Sequence, residues 1–155
     1  MKSDARVIEA LNNVLLGELT AVNQYFLHAR MCKSWGYDKL ADVVYKHSIG
    51  EMKHASELTD RILFLEGIPN LQKLGKLNIG ETVAEQMKSD LALEVDAIAG
   101  LKKSIAACEA AGDRVSQQML EAILVDEEGH IDWVEIQIKL INSIGLENYL
   151  SKQIS

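Results

Sequence analysis

The chain has 155 residues, of which 48% are hydrophobic, enough for one domain with a sizeable core and too apolar for a disordered one. Its formal net charge is −7, from 23 acidic and 16 basic residues, and no basic cluster stands against that background, so nucleic-acid binding is set aside. No run reaches membrane-spanning length and "MKSDARVIEA" lacks an apolar stretch of signal-peptide size, so a cytoplasmic protein is expected. Cys32 and Cys108 are the only cysteines and form no CxxC pair; in a reducing compartment both are expected as free thiols.

The one proline, Pro69, and the scarcity of turn residues predict long helices. The first runs from about Asp4 to Ser34, with "SDAR" offering an N-cap and Gly36 a stop. Its apolar face is Leu11, Val14, Leu15, Ala21, Val22, Tyr25 and Ala29, with Glu18 in the middle. The second runs from about Asp38 to Glu66, with Gly67 as the expected C′ residue and Pro69 barring continuation. Here Val44, Ala55, Leu58, Ile62 and Leu65 surround Glu51 and His54. Residues 67–80, "GIPNLQKLGKLNIG", contain no helical pattern.

The third helix is expected from about Glu81 to Gly112, its face of Met87, Leu91, Ile98, Leu101 and Ile105 interrupted by Glu94. The fourth starts near Asp113 and ends before Gly145; Leu120, Ile123, Leu124, Ile131, Val134, Ile138 and Ile141 are interrupted by Glu127 and His130. "LENYLSKQI" suits a short fifth helix over about 146–153. Short links around Gly36 and Gly112 make antiparallel hairpins, and the long 67–80 segment can run the length of the bundle and leave helices two and three parallel. The expected fold is all-α: a ferritin-like four-helix bundle over about 4–144 plus the fifth helix.

The interruptions repeat. A shift of 76 positions carries Glu18 to Glu94, Glu51 to Glu127 and His54 to His130. It also carries Leu15 to Leu91, Val22 to Ile98 and Ile62 to Ile138. Two hairpins of one design, related by an approximate two-fold axis, would bring six polar residues into one apolar core. Four buried carboxylates repel one another and are strongly unfavourable unless compensated, and two imidazoles cannot neutralise them. A pair of divalent cations can, and carboxylate oxygen with imidazole suits iron or manganese. One Glu on each of two helices and ExxH on each of the others is the ligand pattern of di-metal carboxylate bundles.

Other residues have more ordinary roles. Tyr25, two turns beyond Glu18, can hydrogen-bond a ligand, supply an electron or simply pack. Trp133 is expected to pack, and His28 and His47 to be surface or interface histidines.

The stretches "GELTAVNQYFLHARM", "EMKHASE", "RILFLEGIPNLQKLGKLNIGE", "SDLALE", "DEEGHIDW" and "IGLENYL" resemble bacterioferritin along nearly the whole chain. The resemblance implies one ferritin-like di-iron domain over residues 1–155, repeated in a hollow twenty-four-subunit shell that stores ferric mineral. It implies a ferroxidase centre with catalytic metal ligands Glu18, Glu51, His54, Glu94, Glu127 and His130, Glu51 and Glu127 bridging, and O2 or H2O2 as oxidant. It further implies haem b at a two-fold interface, with Met52 of each subunit as axial ligand, Met31 as a candidate pocket wall and a ferredoxin as reductant. Some members carry a His and an Asp facing the cavity where this chain has Lys46 and Gly50, with Asp126 remaining, so an inner-surface iron site is not expected. The ligand set alone also suits a non-storage di-metal oxidase or a manganese catalase-like enzyme. A non-catalytic helical scaffold with buried ion pairs is a further reading.

Overall fold

In a computed structural model, which describes residues 1–2 and 4–155, the chain forms five α-helices. They are α1 (Ala5–Ser34), α2 (Asp38–Phe64), α3 (Val83–Ala110), α4 (Arg114–Ile144) and α5 (Leu146–Ser151). The four long ones build the expected bundle. Asp4 caps α1, accepting the Arg6 N–H at 2.8 Å, while Ser3 of the "SDAR" stretch lies outside the described residues. Thr82 and Asp113 cap α3 and α4 in the same way.

Gly36 and Gly112 adopt positive φ (90° and 73°) and end α1 and α3, as their positions suggested. The end of α2 differs. Glu66, not Gly67, takes the left-handed C′ conformation, with φ 62°. The Glu66 N–H bonds Leu63 O and the Gly67 N–H bonds Ile62 O, both near 3 Å, which is a Schellman closure one residue earlier than expected. Gly67 instead sits at a close approach: a Cβ there would lie 2.7 Å from Ile8 Cδ1, so the Ile8 side chain would have to shift.

Contacts across the bundle fix its directions. Ser104 reaches Ala10 O while Gln24 reaches Asp90, so α1 and α3 are antiparallel. Arg61 meets Ser116 while His54 meets Asp126, so α2 and α4 are antiparallel. With the two short hairpins, α2 and α3 must then be parallel. The 67–80 segment spans the bundle along one polar stripe of α1. Asn12 bonds Ile68 and Asn70, Thr20 bonds Gly75, Gln24 bonds Asn78 and His28 bonds Gly80. Spacings of four or eight keep these side chains on one face, so each satisfies a backbone group of the irregular segment.

The apolar core comes in two halves. One gathers Leu11, Leu15, Leu58, Ile62, Leu101, Leu120 and Ile123. The other gathers Tyr25, Cys32, Leu40, Val44, Met87, Val134 and Tyr149. Each fully buried leucine or isoleucine stabilises the fold by about 1.5–3 kcal/mol. The short α5 closes the second half: Tyr149 is buried and its hydroxyl donates to Gln137 Oε1 at 2.7 Å. Both cysteines are buried free thiols. Between the two halves lies the polar layer.

Candidate metal centre

Each long helix contributes its mid-length polar residues to one layer: Glu18 from α1, Glu51 and His54 from α2, Glu94 from α3, Glu127 and His130 from α4. All four carboxylates are at most 3% exposed, although glutamate is almost never fully buried without a partner. His54 Nδ1 lies 3.3 Å from Glu18, 3.4 Å from Glu127 and 3.8 Å from Glu51. His130 Nδ1 lies 2.9 Å from Glu51, 3.4 Å from Glu127 and 3.6 Å from Glu94. The ligand atoms form two overlapping groups, Glu18, Glu51, His54 and Glu127, and Glu51, Glu94, Glu127 and His130. Within each group all atoms lie within 4.8 Å of one another. Only Glu51 and Glu127 belong to both.

Several of these atoms have no hydrogen-bond partner: Glu51 Oε1, Glu94 Oε2, both oxygens of Glu127 and His130 Nδ1. His130 Nδ1 and Glu51 Oε1 are 2.9 Å apart, yet they lack the alignment of a hydrogen bond. Buried polar atoms that converge without satisfying one another fit a shared cation.

In the metal-free protein, protons stand in for that cation. Burial pushes the Glu18 carboxyl well above its ordinary range, and neighbouring Glu51 adds to this. Burial likewise lifts Glu94 to about 8. Burial alone would raise Glu51 too, but Glu18, His130 and His54 hold it down at about 2. Burial opposes the charge on both imidazoles and the carboxylates overturn it: Glu127, Glu18 and Glu51 raise His54 strongly, and Glu127, Glu51 and Glu94 raise His130 to about 12. Divalent ions entering this layer must displace those protons.

A second ring of contacts surrounds the layer. The Tyr25 hydroxyl donates to Glu94 Oε1, the ligand contact the sequence allowed. His54 Nε2 bonds Asp126 Oδ2 at 2.8 Å, a partner that no sequence pattern identified because it lies across the bundle. One expectation is corrected. His28 is fully buried, not at a surface: its Nε2 accepts the Gly80 N–H at 3.0 Å, so Nδ1 carries the proton that Asp90 accepts at 2.9 Å. The i, i+4 polar stripe of α1 was the available signal. His47 is half-buried, its ring 4.6 Å from that of His130 and 4.9 Å from that of Trp133; burial, then His130, lower its pKa to about 4 and keep it neutral. Trp133 packs, as expected.

A cavity of about 370 Å³ between α1, α3 and the 67–80 segment reaches Glu18 and is bordered by Gly17, Thr20, Lys76 and Asp96. On the far side of α2, Met52 is 46% exposed although Glu51 beside it is 1% exposed, as a 100° step around a helix requires. Tyr45, Ile49 and Met52 form an exposed apolar stripe at helical spacing. Met31 turns its sulfur to Gln86 of α3, with Gln86 Nε2 at 3.7 Å. No described helix is long and apolar enough to cross a membrane.

The ferritin-like domain family matches residues 8–144. The chain is 49% identical to the bacterioferritin of Brucella melitensis over 149 residues, covering 96% of this chain and 92% of that protein. It is 46% identical to the bacterioferritin of Mycobacterium tuberculosis over 155 residues, 100% of this chain and 98% of that protein. Against the bacterioferritin of Streptomyces coelicolor it is 46% identical over 151 residues, 97% and 90% of the two chains.

Proposed function

The chain belongs to the bacterioferritins, iron-storage members of the ferritin-like family, and from that premise we propose that each subunit oxidises Fe(II) at the Glu/His layer and passes Fe(III) to a mineral store. The observation that carries this reading is the pair of four-ligand groups sharing Glu51 and Glu127. Two Fe(II) ions are the substrate. Glu18 and His54 hold one, Glu94 and His130 the other, and Glu51 and Glu127 bridge them. Two such ions together release two electrons, which reduce O2 to H2O2 or H2O2 to water with two protons. Carboxylates suit both oxidation states and let the product leave. Tyr25 holds Glu94 in place by its hydrogen bond.

Aerobic Fe(II) titration of the metal-free protein tests this. A fast oxidation phase is expected to saturate near about two irons per subunit and to vanish in Glu94→Ala. No such phase, or one that survives the substitution, rejects the reading.

The subunit assembles with copies of itself into a hollow cytoplasmic shell. Twenty-four subunits of 17.2 kDa make roughly 410 kDa, a size that separates a store from a small di-metal oxidase or manganese catalase-like assembly. Met52, exposed in its apolar stripe, is placed to offer its thioether, one from each of two subunits, to a haem b at a two-fold interface. A haem b held there would supply electron transfer for reductive release of iron, with a ferredoxin as the proposed donor. Met52→Leu should abolish the Soret band of the purified shell; a retained band excludes Met52 as ligand.

A further inference from the structure

The shift of 76 positions that relates the two halves of the centre also relates Gly50 to Asp126. Each directly precedes a shared carboxylate, Glu51 or Glu127. The two halves are therefore alike in their ligands and unlike one step behind them.

In the first half, Asp126 Oδ2 is 2.8 Å from His54 Nε2. That contact takes the Nε2–H and leaves Nδ1 facing Glu18, Glu51 and Glu127. In the second half, His130 Nδ1 faces Glu51, Glu94 and Glu127 in the same manner. Gly50, however, has no side chain to offer Nε2, and a Cβ built there meets nothing within 4 Å. Among the described residues no side chain hydrogen-bonds His130 Nε2. The ring of His47 lies 4.6 Å from that of His130, a contact that neither fixes the tautomer nor supplies negative charge.

A carboxylate behind a ligating histidine fixes the ring and raises its basicity, and losing it costs roughly 10–100-fold in metal affinity. We infer that the two metal positions are unequal by construction. Asp126 is the positioning residue that makes the Glu18–His54 position the tighter. Gly50 leaves the Glu94–His130 position the looser, from which metal departs first. The inference rests on the di-metal reading of the layer.

Anaerobic titration of the metal-free shell with Co(II), followed by its d–d absorption, separates the two positions. Two steps are expected, about 10–100-fold apart, the weaker one lost in Glu94→Ala. Asp126→Ala should weaken the tighter step by a similar factor and leave the weaker one in place. Its side chain is 61% exposed, so the substitution does not threaten the fold. Asp126→Asn keeps an acceptor and should recover part of the loss, which removal of charge alone would not allow. Gly50→Asp should tighten the weaker step. Repulsion between the two cations would also split the steps, but it predicts no such step-specific response. Steps unmoved by Asp126→Ala, or a weaker step unmoved by Gly50→Asp, overturn the inference while leaving two bound Co(II) and the di-metal reading intact. No Co(II) bound by the unsubstituted protein rejects the reading and the inference together.

Discussion

Replacing Glu127 by methionine should make the metal-free protein more stable and insensitive to metal. Glu127 is 1% exposed and neither of its oxygens has a hydrogen-bond partner. A buried polar atom left without a partner costs about 1–3 kcal/mol; the His54 and His130 imidazolium groups, 3.4 Å from the two oxygens, return part of that, so Glu127 destabilises the metal-free fold by about 2 kcal/mol. Methionine fills nearly the same volume with an apolar thioether. At about 2–4 °C per kcal/mol for a chain of this size, the variant should melt about 4–8 °C higher without metal. The unsubstituted protein should gain from metal instead. At a hundred times Kd, each site adds about 2.7 kcal/mol, so two add about 5 kcal/mol and raise the Tm by about 10–20 °C. Glu127 belongs to both ligand groups, so Glu127→Met removes a ligand from each and nearly all of that gain. Calorimetry with and without Zn(II), at matched protein concentration, reads both effects. A variant that melts lower than the unsubstituted protein and keeps the full metal shift would refute a metal-compensated carboxylate layer.

The protonation of the layer sets a pH dependence. Glu94 and His130 keep their protons to about 8 and about 12 in the folded metal-free protein, above the unfolded values of 4.5 and 6.5. Their contribution is present at low pH and is lost as pH rises through the folded values, so metal-free stability should decline between about pH 6.5 and 8. Over the same interval Co(II) affinity should rise, with proton release on binding; denaturation and indicator-dye measurements at both ends check this, and an affinity independent of pH would count against it. Gly80→Ala should destabilise by about 3 kcal/mol or more, because the new Cβ would lie 2.3 Å from the Gln86 nitrogen. Gly129→Ala, in α4 with nothing within 4 Å of its Cβ, should stabilise by about 0.5–1 kcal/mol. Urea midpoints that move alike in these two variants would contradict the packing described.

Most of this architecture was legible in the sequence. The 3.6-residue periodicity predicted four long helices and a short fifth, and their observed bounds lie within two residues of expectation. The 76-residue shift selected all six residues of the buried layer, because a carboxylate on an apolar face stands out against its neighbours. What stayed hidden depends on contacts between distant segments. Glu66 occupies a left-handed conformation that glycine would take more readily, while Gly67 lies one residue on, where Ile8 approaches. His28 looks like any polar helix residue until Gly80 and Asp90 are brought to its two nitrogens. Asp126 reads as a surface acid until α2 brings His54 against it.

The most direct test is anomalous diffraction at the iron edge from crystals soaked anaerobically in Fe(II). Two peaks are expected inside each subunit, roughly 3.5–4 Å apart and both in contact with Glu51 and Glu127. One should touch Glu18 and His54 Nδ1, the other Glu94 and His130 Nδ1. A single peak, or iron bound only outside this layer, would contradict the assignment.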